Sequence, residues 1–154
     1  MRRARTLSAI YVVGTFAMAT AAMGSSSLNV ELRGLGKSVG STAACPDGQT
    51  TVPIIHSNRS ALYCVTSARK LRKPGLDPWR IIETVRGTIP LSGGTLRTTE
   101  SQQFTFTRAG TSNAIFHGRV IGGTGRYYGS TGTVSGGGKG RNGIAVWRLT
   151  FQLR

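Results

Sequence analysis

The sequence predicts an all-β protein: an antiparallel closed barrel of about eight strands. Three observations support this. After position 24 no stretch of ten or more residues has helical periodicity, whereas apolar and polar residues alternate at period two in several runs. Thr is abundant, as β-strands favour, and the 22 Gly among 154 residues cluster where alternating runs end. The last run is so apolar on one face that it needs a partner on both edges, which closure of the sheet would supply.

In chain order, the first element is not part of that domain. Met1–Thr6 carries Arg2, Arg3 and Arg5, Leu7–Ala22 has no charge, and Ala19-Thr20-Ala21 offers a small-residue cleavage site. This is the layout of a Sec-type secretory signal peptide, so residues 1–24 are expected to direct the protein to the cell envelope or the exterior. The same residues kept as an N-terminal anchor are the alternative. The remaining residues, 25–154, suffice for a single domain.

Leu28, Val30 and Leu32 then share one face of a strand. Cys45 and Cys64 are the chain's two cysteines, and in an oxidising compartment such a pair is expected as a disulfide. Arg69, Lys70, Arg72 and Lys73 gather four positive charges ahead of Pro74-Gly75. Trp79, Ile81, Glu83 and Val85 alternate with polar neighbours. After the Ser92-Gly93-Gly94 turn, Leu96, Thr98, Glu100, Gln102, Phe104 and Phe106 again share a face. The final strand places Ala145, Trp147, Leu149, Phe151 and Leu153 on one side.

Residues 118–143 hold half of the glycines. Gly138-Lys139-Gly140-Arg141-Asn142-Gly143 matches the spacing of a phosphate-cradling loop, but a strand follows it where a helix N-terminus would be needed. A flexible linker fits Ser135–Gly138 but not Tyr127-Tyr128. A hairpin in which Gly supplies positive φ and close backbone approach accounts for both.

The same region carries a resemblance. Gly122-Gly123-Thr124-Gly125-Arg126-Tyr127-Tyr128-Gly129-Ser130-Thr131-Gly132-Thr133-Val134 resembles the glycine-rich turn of allene oxide cyclase-like and dirigent-like barrels, with Phe116–Ile121 as the strand entering it. The likeness is specific over 118–134 and looser over 79–154. It implies a calycin-like, eight-stranded antiparallel barrel with an apolar interior cavity. It implies a turn role for Gly122, Gly123, Gly125, Arg126, Tyr127, Gly129 and Gly132. Ser130-Thr131 stands where Ala-Arg is common in that family, so no role of that Arg carries over.

Composition restricts the chemistry. The 20 Lys+Arg against 5 Asp+Glu give a formal charge of +15, and without residues 1–24, which hold three Arg and no acid, +12 remains. Five carboxylates and two histidines (His56 and His117) offer no nucleophile–base pairing for hydrolysis and no metal-ligand spacing, and no cofactor is expected. Export and the lack of a recognition motif argue against intracellular nucleic acid.

Three functions follow as expectations. The first is a binding protein for a small apolar ligand, with Trp79, Phe104, Trp147 and Phe151 lining the barrel. The second is a cyclase or dirigent-type isomerase in which Glu83 or Glu100, inward in an apolar cavity, acts as acid or base; either carboxylate facing solvent or an Arg is the competing placement. The third uses Arg69, Lys70, Arg72 and Lys73 on an anionic surface polymer or lipid headgroups.

Overall fold

Nine β-strands build one antiparallel sheet in this computed structural model, which describes residues 25–35, 37–71, 78–142 and 144–154. The expected export segment, 1–24, lies outside the described residues, as do Arg72 and Lys73. The strands are β1 (Ser26–Leu35), β2 (Lys37–Thr42), β3 (Cys45–Pro53), β4 (Ser60–Lys70), β5 (Trp79–Leu91), β6 (Gly94–Phe106), β7 (Thr111–Gly125), β8 (Gly132–Arg141) and β9 (Ile144–Leu153). Their order across the sheet is β1-β9-β8-β7-β6-β5-β4-β3-β2. From β2 to β9 sequence neighbours pair, and β1 alone crosses over to the far edge of β9.

The all-β class holds, and the fold is barrel-like, but two finer expectations are corrected. The sheet is not closed, and it has nine strands rather than eight. The strand β9 does pair on both edges, with β8 and with β1, so its apolar face needs no closure of the whole sheet. The curl brings β1 beside the end of β3, where they meet in a single bridge, Leu32 to Ile54, and Ile55 N–H donates to the Glu31 carbonyl at 2.9 Å. The extra strand comes from the β2–β3 hairpin, which lacks strict alternation and adds to the β4 edge.

Register converts the alternations into inward rows. Trp79, Phe106, Ser112, Gly140 and Ala145 form the outermost row, followed by Ile81, Phe104, Ala114, Gly138, Trp147 and Leu32. Next come Glu83, Gln102, Phe116, Gly136, Leu149 and Val30, and then Val85, Glu100, Gly118, Val134, Phe151 and Leu28. Gly136, Gly138 and Gly140 all face inward opposite larger residues. A Cβ on Gly138 would collide with the Val146 carbonyl and lie 2.6 Å from Cδ1 of Trp147, and one on Gly136 would collide with the Arg148 carbonyl, so glycine at these positions permits the close approach of β9.

The turn between β7 and β8 holds the glycine-rich segment 122–134. Gly122, Gly125, Gly129 and Gly132 have positive φ, and Tyr127 N–H and Ser130 N–H close it onto the carbonyls of Thr124 and Tyr127. Tyr127 itself is buried, with the Arg126 guanidinium 5.1 Å from its ring centroid. The disulfide expected from the cysteine pair is present between Cys45 and Cys64, tying β3 to β4.

Candidate functional site

The candidate site lies at the end of the curled sheet where β5 and β9 begin and β6 and β8 finish. Trp79 stacks on Phe106 with ring centroids 4.2 Å apart, and Phe104 lies 6.0 Å from Phe106. Trp147 reaches across the interior: its ring is 5.9 Å from Phe104, 5.2 Å from Phe116 and 6.5 Å from Tyr63 on the facing wall. These contacts shape a recess of about 490 Å³ floored by Trp79, Phe104, Phe106 and Trp147, with Thr111 and Asn142 at its edge. The four aromatic side chains are half-buried, so each keeps surface for a ligand.

Alternation places all four aromatics inward, and the small residues Gly110, Ser112 and Ala145 line the recess beside them. Because Trp147 and Phe104 share a row, the floor spans the interior from β6 to β9. Below it the molecule is packed. Phe116, Leu149, Phe151, Leu32, Val85 and Leu96 are fully buried in the core.

Glu100 lies two rows deeper than Trp147 and is only 1% exposed. Thr98 Oγ1 donates to one carboxylate oxygen at 2.6 Å, and Gln102 Nε2 donates to the other at 3.0 Å. Room for the carboxylate comes from two glycines. A Cβ on Gly87 would lie 3.2 Å from Glu100 Oε1, and one on Gly118 would lie 2.8 Å from both Cα and Cγ of Glu100. Burial pushes the Glu100 carboxyl above the ordinary carboxylate value, and the two hydrogen bonds pull it part of the way back. Burial also raises the Tyr63 hydroxyl well above its usual range, with the negative charge of Glu100 adding to the effect.

Glu83 shares the inner wall with Trp79 and Ile81, opposite Gln102, and is half-buried. Its carboxyl is raised too, first by burial and then by the charge of Asp47. Of the four residues expected to line a cavity, Trp79, Phe104 and Trp147 meet at the recess, while Phe151 is packed in the row of Glu100. Arg69 and Lys70 are exposed at the end of β4. His117 faces outward and is exposed.

Four members of the site were absent from the expected set. Phe106 continues the Phe104 face, and that spacing pointed to it. Tyr63 belongs to the buried alternation Ala61, Tyr63, Val65, a signal interrupted by the neighbouring Cys64. Thr111 and Asn142 arrive at strand ends, the first residue of β7 and the residue after β8, with no periodic signal. Comparison of the chain with family models, curated proteins and solved structures gives no match.

Proposed function

We propose that the protein binds a small apolar ligand on the aromatic floor of the recess. The observation that supports this most is the convergence of Trp79, Phe104, Phe106 and Trp147 on one hollow of about 490 Å³. Small-molecule sites usually have roughly 300–1,000 Å³ and apolar walls with a few polar groups, here Thr111 and Asn142. The sequence resemblance of residues 118–134 to barrels with an apolar interior is in keeping with this reading. Exported through its N-terminal segment, such a protein would meet its ligand in the envelope or outside the cell.

The isomerase reading has weaker support. Glu100 has both oxygens held by its own neighbours and is two rows beneath the floor. Glu83 is nearer, but among the described residues that line the recess no second acid or base faces it.

Both tryptophans of the chain line the recess, so intrinsic fluorescence reads binding directly. Titration with 1-aminoanthracene, a neutral aromatic probe, is expected to quench tryptophan emission saturably. Trp147→Ala should weaken that binding about tenfold or more, in line with loss of a buried aromatic contact. Linear, non-saturating quenching that is the same in both proteins would reject the proposal.

A further inference from the structure

We propose that the recess end of the molecule docks on an anionic lipid bilayer. The inference stands apart from ligand binding and rests on what surrounds the recess. Leu71, just past β4, is 40% exposed, and Ile144, the first residue of β9, is 55% exposed. Register places both at the recess end: Leu71 N–H donates to the Arg80 carbonyl, and Ile144 pairs with Arg141. Between them are the half-buried rings of Trp79 and Phe106. Large apolar side chains are thus displayed where the sheet presents its end to solvent.

Cations ring the same end. Arg69 and Lys70 on β4, Arg80 on β5, Arg108 in the β6–β7 turn, and Lys139 and Arg141 on β8 are all exposed. Among the described residues three carboxylates lie toward this end: Glu83, on the inner wall, Asp47, close enough to raise it, and Glu31, which is paired with Arg148 at 2.8 Å. Aromatic and aliphatic groups set among Lys and Arg match the bilayer interface, where the former enter the headgroup–acyl boundary and the latter meet anionic headgroups. An anionic polymer would use the cations but leave Leu71 and Ile144 in water.

At the opposite end Tyr128 is 83% exposed and Arg154 is exposed too, while Arg59 donates to the Leu91 carbonyl at 2.9 Å and Arg126 lies over the Tyr127 ring, so two of its charges are engaged within the fold.

The test uses the full chain with vesicles of phosphatidylcholine alone and of phosphatidylcholine with one quarter phosphatidylglycerol. Co-flotation measures partitioning, and acyl-brominated lipid measures tryptophan depth. Residues 1–24 contain no tryptophan, so quenching reports Trp79 and Trp147 alone. Flotation with the anionic vesicles, accompanied by quenching, is expected. Arg69→Gln with Lys70→Gln should lower partitioning about 25-fold, at roughly fivefold per charge. Leu71→Ser with Ile144→Ser should lower it at least tenfold and remove most of the quenching. Tyr128→Ser with Arg154→Gln, at the opposite end, should change neither, and circular dichroism should show each variant folded. Flotation without quenching would overturn the proposal. So would equal loss in the opposite-end variant, or partitioning insensitive to the Leu71 and Ile144 changes, which would mark a binder of polyanions in general.

Discussion

Glu100 is a carboxylate walled in by the protein's own glycines and amides, and its ionisation is tied to the folded state. Its pKa is raised on folding. Below the ordinary carboxylate value both folded and unfolded chains hold the proton, and the group does not affect stability. As pH rises past that value the unfolded chain releases its proton first, so stability falls until the folded carboxyl ionises as well. Glu83 acts in the same direction. Glu100→Gln keeps the shape and removes the ionisation. Its melting temperature relative to wild type should therefore improve between pH 4 and pH 8; a difference that does not vary with pH would contradict the assignment. That an inward carboxyl lay here was readable from the Leu96–Phe106 alternation. That its oxygens were met by Thr98 and Gln102 was not, because both lie on the same strand face and their contacts depend on rotamers chosen by packing.

At the scale of elements, β8 is the instructive case. Its glycines invite readings as a phosphate loop or a linker, yet residues 132–141 form a regular strand. The register explains why: Gly136 stands between Phe116 and Leu149, and Gly138 between Ala114 and Trp147. The space that side chains on Gly136 and Gly138 would need is taken by the β9 carbonyls of Arg148 and Val146 and, at Gly138, by Trp147 as well. Gly138→Val should collide with the Val146 carbonyl and with Trp147, parting β8 from β9 locally and destabilising the fold by about 1–3 kcal/mol through overpacking. Urea unfolding would measure the loss, and near-ultraviolet circular dichroism would show whether Trp147 loses its fixed environment. An unchanged urea midpoint would mean that Trp147 has room to spare. The strand starting at Trp79 and the one ending at Leu153 were both legible from alternation. The β2–β3 hairpin was not, since Lys37–Thr42 and Cys45–Pro53 mix small, polar and apolar residues without a period.

For the whole molecule, the open edge matters most. The β2–β3 hairpin is held to the rest of the sheet through β4, and the Cys45–Cys64 disulfide fastens that junction. Replacing both cysteines by Ser should destabilise the protein by about 3 kcal/mol in the chain-entropy account. The change should appear as a lower unfolding midpoint by fluorescence, matched by reduction of the wild type with dithiothreitol. If reduction leaves the midpoint in place, the disulfide only decorates an edge that is already stable.

Sequence alone determined the class, because alternation at period two and the absence of helical periodicity follow from which side chains must leave water. It also determined the cysteine pair and the inward aromatic face. Tertiary structure decided the rest. Whether the sheet closes depends on where β1 meets β3, and one bridge at Leu32 leaves it open. Whether Phe151 or Phe106 borders the recess depends on which row each occupies. Alternation tells which side of a strand a residue faces, but only the register between strands fixes its depth.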